Sequence, residues 1–198
     1  DGDNRNQVLI ASGSKIFESE IPVGWTQPSI LYVGPLLHEV PTDIVNWFKP
    51  ELSCLVPSGW LRRWGPDGVI THARDLVLSQ RKKWDVIVVS EAEIANLSIE
   101  PLRLFSEIIC VTRGQLGARI WKGGDWVDIP AIKSAPVDLT GAGDVWASAF
   151  VIALNDGRNI EDAGMHASAA SAIGIESIGL LGCPSRTEIE NRLSDIHL

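Results

Sequence analysis

The stretch Asp138-Leu139-Thr140-Gly141-Ala142-Gly143-Asp144-Val145-Trp146 puts a carboxylate directly after a glycine-rich turn, with small and apolar residues following at helical spacing. Backbone N–H groups at a helix start lack intrahelical partners, so such a turn can hold phosphate oxygens, helped by the helix dipole. Gly141 and Gly143 permit close backbone approach. A negative side chain beside an anion cradle would repel the ligand. The placement makes chemical sense if Asp144 takes a proton from an attacking hydroxyl while neighbouring N–H groups stabilise charge on a moving phosphoryl group. From spacing alone, an acid that merely suits the first turn of a helix accounts for Asp144 equally well.

Two further stretches precede this turn. Val111-Thr112-Arg113-Gly114-Gln115-Leu116-Gly117-Ala118 reads by itself as a strand, a loop with two turn glycines and a second strand. Ser90-Glu91-Ala92-Glu93 reads as an acidic helix start. A GxxxxGK[ST] phosphate loop and a GxSxG nucleophile elbow are both absent. A dinucleotide turn at Gly141-Ala142-Gly143 would put bulky Trp146 where a third small residue is needed.

In this order and spacing the three stretches resemble the ribokinase/PfkB carbohydrate kinase family, whose C-terminal signature matches Asp138-x-Thr140-Gly141-Ala142-Gly143-Asp144-x-Trp146-x-x-Ala149-Phe150. Trp146 stands where the family usually has Phe, and Ala149 where it has Gly. The resemblance implies an ATP-dependent kinase that transfers the γ-phosphoryl group to a hydroxyl of a sugar, polyol or related small alcohol. Asp144 would be the base, and Gly141, Ala142 and Gly143 the anion hole. Thr112, Gly114 and Gly117 would lie beside the nucleotide. Ser90 replaces the family's Asn, and Glu93 would act through water on Mg²⁺, whose retained waters suit an indirect contact. Asp138 and Thr140 match positions that hold a monovalent cation such as K⁺ in some members, with simple turn chemistry left open.

Pro57-Ser58-Gly59-Trp60-Leu61-Arg62 resembles a family segment that ends the central strand, with Arg62 reaching either phosphate or a surface ion pair. Ala163, Ala167, Ala170 and Ala172 resemble the small-residue helix flanking adenine, and close helix packing explains them equally well. The family's N-terminal portion, with its Gly-Gly substrate motif and most lid strands, has no counterpart here. A non-catalytic nucleotide-binding or scaffold protein descended from such kinases is therefore the competing expectation.

The elements that must position these residues follow a β-α-β rhythm. Strands are expected at 7–10, 30–33, 53–56, 86–89 and 108–112, with a helix capped at Thr42, another through Leu76–Lys83 and a third after Pro101. Continuous apolar strands of this kind are buried on both faces, as in a parallel sheet covered by helices. Gly117–Trp121 and Trp126–Ile129 flank Lys122-Gly123-Gly124-Asp125 as an antiparallel edge hairpin. Helices follow from Ala142 to about Asn155, from Ile160 to about Ile173, and after Pro184-Ser185. The expected fold is a three-layer α/β/α ribokinase-like domain with a mainly parallel sheet, spanning 1–198 and lacking the N-terminal strands and most of the lid. Missing strands would leave unpaired edges, which suggests cover by a partner such as a second copy in a homodimer.

A net charge of −8 argues against nucleic acid as a partner, because phosphate backbones require clustered Lys and Arg. The one basic cluster, Arg81-Lys82-Lys83, reads as a solvated helix end. Cys54, Cys110 and Cys183 are odd in number and far apart, so neither a disulfide framework nor a metal site is expected, and a reducing cytoplasm fits. No apolar run reaches the roughly 20 residues that a bilayer span needs, so no membrane partner is expected. The eight tryptophans are expected mostly in the core, with Trp25 least committed. The four histidines, His38, His72, His166 and His197, lack metal-ligand spacing.

Overall fold

The computed structural model describes residues 7–73, 83–95 and 99–196. In chain order the strands are β1 (Ile30–Val33), β2 (Leu52–Leu55), β3 (Arg62–Trp64), β4 (Ile70–His72), β5 (Trp84–Ser90), β6 (Ser106–Thr112), β7 (Ala118–Lys122) and β8 (Asp125–Ile129). The α-helices are α1 (Ser58–Leu61), α2 (Glu91–Ile94), α3 (Ala142–Asn155), α4 (Ile160–Gly174) and α5 (Arg186–Ile196). Six strands form one sheet in the order β1-β2-β5-β6-β7-β8, while β3 and β4 pair apart from it. The first four of the six run parallel, and β7 and β8 close the sheet as an antiparallel hairpin.

Alternation along the strands divides the core between the two faces of this sheet. Cys54, Val56, Val86, Val88, Ile108, Cys110 and Ile120 pack against Trp146, Phe150 and the alanines of α3 and α4. Leu31, Val33, Leu55, Ile87, Val89, Ile109 and Val111 face the other way, onto Ile44, Val45, Phe48, Trp60 and Leu102. The result is the expected three-layer arrangement with a mostly parallel central sheet. Full burial of a large side chain such as Phe150 contributes about 1.5–3 kcal/mol, so the two clusters supply much of the driving force. Close approach is purchased with small residues: a Cβ on Gly164 of α4 would lie 2.7 Å from the Ile129 side chain. Buried Ala163, Ala167 and Ala170 follow the same logic, so packing accounts for this small-residue helix.

Several local expectations are corrected. Residues 7–10 contribute only a single bridge, Val8 to Val69, rather than a strand. The segment after Thr42 is a 3₁₀ turn, Ile44–Trp47, capped by Asp43 without a side-chain bond, with Ile44 and Val45 buried against the sheet. A 3₁₀ turn, Leu102–Leu104, also replaces the helix expected after Pro101. The helix expected through Leu76–Lys83, and most of the Arg81-Lys82-Lys83 cluster, lie outside the described residues. The tryptophans do lie mostly in or against the core, as expected: Trp60, Trp84 and Trp146 are buried, Trp47, Trp121 and Trp126 pack against a core cluster, and Trp25 is exposed. Trp121 and Trp126 are half-buried beneath the guanidinium groups of Arg103 and Arg119, at 4.7 and 4.8 Å from the ring centroids.

Candidate active site

The register of the parallel strands decides where the site lies. Ser90 pairs with Thr112 at the carboxyl ends of β5 and β6, and Val33 with Leu55 at the ends of β1 and β2. Open α/β sheets bind ligands in the crevice outside these ends. A cleft of about 170 Å³ opens there, lined by Ser90, Glu93, Thr112, Gly143 and Asp144 together with Ser58 and the apolar Val56, Val88 and Val89. That volume equals roughly five or six waters, suited to the reacting end of a phosphate chain.

Gly141 caps α3 at φ +79°, a left-handed conformation that glycine enters without strain. Val145 N–H makes the first helical bond, to Gly141 O at 2.9 Å, and Ala142 N–H turns back to Leu139 O at 3.3 Å. Among the described residues the N–H groups of Gly143 and Asp144 have no hydrogen-bond acceptor. A Cβ on Gly141 or Gly143 would meet nothing within 4 Å, so the helix start is open to an incoming anion. The Asp144 side chain is exposed, and its Oδ1 accepts a 2.8 Å hydrogen bond from the Tyr32 phenol. Burial first, and then the Asp144 charge, push the Tyr32 phenol well above its ordinary range, so it is a firm donor.

Ser90 and Glu93 form a capping box on α2. Glu93 N–H donates to Ser90 Oγ at 3.2 Å, and Glu93 Oε2 accepts from Ser90 N–H at 2.8 Å and from its hydroxyl at 2.9 Å. The expected acidic helix start is thus present, and it also aims the Glu93 carboxylate along the cleft wall. A carboxylate oxygen is the donor type that a hydrated Mg²⁺ accepts, so the cleft fits that ion. Thr112 Oγ1 donates weakly to Val89 O, at 3.4 Å. Gly114 and Gly117 shape the loop beyond Thr112 and are not part of the cleft wall. Buried Gly117 has φ +83°, and a Cβ there would run into the Ile129 carbonyl oxygen.

Asp138 and Thr140 lie in the turn leading to Gly141, away from the cleft wall. Asp138 Oδ1 accepts from Thr140 N–H at 2.9 Å and Oδ2 from Gly179 N–H at 3.3 Å, so the carboxylate ties two loops together. Arg62 donates to Leu36 O at 2.7 Å and makes no ion pair among the described residues. Sequence reasoning missed Tyr32, which lies 112 positions from Asp144 and carries no motif. Alternation along β1 was the available signal: it turns Ile30 and Tyr32 toward the α3 face and Leu31 and Val33 away. Ser58 was quoted within the Pro57–Arg62 stretch without a role of its own.

The site is thus an acid at a glycine-lined helix start of an α/β fold, facing a cleft at the strand ends. The family model described as pfkB family carbohydrate kinase matches residues 66–187, and the chain belongs to that family. The ribokinase of Bacillus subtilis is 38% identical over 109 residues, covering 54% of this chain and 34% of that protein. The inositol 3-kinase of Arabidopsis thaliana is 32% identical over 90 residues, covering 46% of this chain and 25% of that one. The crystal structure of Thermotoga maritima ribokinase superimposes with a TM-score of 0.68 at 23% identity, covering 91% of this chain and 62% of the other. The match to the Bacillus subtilis protein therefore spans about a third of that relative's length.

Proposed function

We propose that the chain carries the nucleotide-binding and base-bearing half of an ATP-dependent kinase acting on a hydroxyl of a sugar, polyol or related small alcohol. The observation that carries this reading is the shared cleft: Asp144 and the free helix start at Gly143 face Ser90, Glu93 and Thr112 across about 170 Å³. The acceptor O–H proton passes to Asp144 as its oxygen bonds to the γ-phosphorus and the bond from that phosphorus to the β–γ bridging oxygen breaks, leaving ADP. Of the expected anion hole Gly141, Ala142 and Gly143, the N–H of Gly143, joined by that of Asp144, is open to the transferring group, while Ala142 N–H is turned back to Leu139 O and Gly141 shapes the turn. Thr112, Gly114 and Gly117 border the nucleotide, with Gly117 acting through the shape of its loop. Mg²⁺, when bound, neutralises phosphate charge, and Glu93 would hold it through water.

The test is ATP turnover measured with D-ribose or myo-inositol as acceptor, in K⁺ and in tetramethylammonium buffers. ADP should form only with an acceptor present, and Asp144→Asn should lower kcat by about two orders of magnitude or more while ATP binding persists. Turnover that survives the substitution removes Asp144 from this role. ATP binding without phosphorylated product across a wider alcohol panel favours a non-catalytic nucleotide-binding protein. Equal rates in the two buffers remove the cation role from Asp138 and Thr140.

A further inference from the structure

The carboxylate proposed as the base does not stand alone. The Tyr32 hydroxyl donates to Asp144 Oδ1 at 2.8 Å, and among the described residues this is the only hydrogen bond the Asp144 side chain accepts. The ring comes from β1 and packs, half-buried, against the core cluster beneath α3. Gly34 follows on the same strand end, where a Cβ would lie 3.0 Å from the Tyr32 ring and 3.6 Å from Asp144 Oδ1. A larger residue at 34 would therefore crowd the pair. Ser148, one helical turn beyond Asp144, acts on the same phenol in the opposite sense, easing its ionisation. Strand β1 and helix α3 thus meet through a polar contact set into an otherwise apolar face.

We infer that Tyr32 is a positioning residue for Asp144, clamping Oδ1 so that Oδ2 is the oxygen left to receive the acceptor's proton. This rests on the kinase reading above. An exposed carboxylate on the first turn of a helix otherwise samples several χ1 and χ2 rotamers, and a base that must meet one hydroxyl loses rate when it wanders. A hydrogen bond to an ionised group is stronger than one between neutral partners, and the ring is already held by its packing. The phenol is too firmly protonated to serve as the base itself, since burial and the neighbouring charge both oppose its ionisation. Its part is to orient.

Tyr32→Phe removes the hydroxyl and keeps the packed ring. With ATP and D-ribose or myo-inositol, it should lower kcat about tenfold while the KM for ATP changes less than about twofold and the melting temperature hardly moves. A purely structural role would instead lower the melting temperature and leave kcat near wild type. Tyr32 is the only tyrosine of the chain, so a ¹³Cζ-tyrosine label gives one resonance. That resonance should shift on Asp144→Asn, by loss of the ionised acceptor, and shift less on Ser148→Ala. Unchanged kcat in Tyr32→Phe beside an inactive Asp144→Asn overturns the positioning role and leaves the base reading intact. An active Asp144→Asn overturns the base reading, and the positioning role with it. Should the unsubstituted chain turn over neither acceptor, the resonance decides: a shift on Asp144→Asn supports the clamp, and none overturns it.

Discussion

Gly114 and Gly117 occupy one loop and would look alike in any motif, yet replacing each by alanine should have different consequences. Both have positive φ, +54° and +83°, so each alanine incurs a conformational cost of about 1–2 kcal/mol. Around Gly114 a Cβ would meet nothing within 4 Å, and the cost ends there. At Gly117 the Cβ would run into the carbonyl oxygen of Ile129 and lie 2.7 Å from both Ala131 N and Pro130 C. Those atoms are backbone and cannot rotate away, so about 1–3 kcal/mol of overpacking adds to the strain, for a total of about 2–5 kcal/mol. At about 2–4 °C per kcal/mol for a chain of this size, Gly114→Ala should lower the melting temperature by about 2–8 °C and Gly117→Ala by about 4–20 °C, with the Gly117 variant losing more. Thermal unfolding of the two variants by circular dichroism, without nucleotide, measures the difference. Equal losses would refute the steric reasoning. If Gly117 instead serves chiefly to contact ATP, the unliganded variant should melt like wild type and lose only the stabilisation that added ATP confers.

Two other substitutions probe the scaffold. Ser53 is fully buried and gives its N–H and hydroxyl to Asp85 Oδ2 at 2.7 and 2.6 Å, tying β2 to β5. Ser53→Ala should cost about 1.5–3 kcal/mol, read from the urea midpoint, because the half-buried Asp85 carboxylate loses a charge-assisted bond; a cost near zero would show that water replaces it. His166 of α4 is buried, and burial first, then Arg158 and Arg186, hold its imidazole below the ordinary value against the opposing pull of the Ala149 backbone and of Glu190. The unfolded chain then takes up a proton more readily than the fold. The stability conferred by neutral His166 is complete above about pH 6.5 and is lost as pH falls through that value toward the lower folded one. The urea midpoint should drop from pH 7.5 to pH 5.5 more steeply than in His166→Gln; parallel slopes would assign the acid sensitivity elsewhere.

Long-period features of this chain were readable from residues alone. The runs at 86–89 and 108–111 are apolar throughout, which a strand buried on both faces demands, and they lie in β5 and β6 at the sheet's centre. The hairpin around Gly123-Gly124 and the helix beginning at Ala142 fell within a residue or two of their expected bounds. Short segments were not legible in the same way. After Thr42 and after Pro101 the apolar spacing fits one turn of either an α- or a 3₁₀-helix, and tertiary packing against the sheet settles the choice. Residues 7–10 have strand composition, but only Val8 makes a bridge, to Val69. In the candidate site, Ser90, Glu93, Thr112, Gly143 and Asp144 converge because each ends or follows a sheet strand or begins a helix that the motif marks. Tyr32 escaped because a phenol inside Ile30-Leu31-Tyr32-Val33 looks like strand filling until its partner across the fold is known.

If the helix start at Gly143 receives phosphate, as proposed, the carboxylate beside it creates an electrostatic conflict, which the arrangement of charges eases. The helix start offers N–H groups on Gly143 and Asp144, while the Asp144 carboxylate leans away toward β1, held by a donor that does not ionise in the working pH range. The second acid of the cleft, Glu93, has one oxygen taken up by the N–H and hydroxyl of Ser90, which spreads its charge into the α2 cap. Two carboxylates facing an incoming polyphosphate would still repel it in water of ordinary ionic strength. A cation arriving with the phosphate changes the sign of that interaction, because it is attracted to both acids and to the anion at once. On the proposed reading the acids that disfavour a bare phosphate chain favour a metal-chelated one, so ATP affinity measured by calorimetry should rise steeply with added Mg²⁺, and equal affinity with and without Mg²⁺ would refute this account.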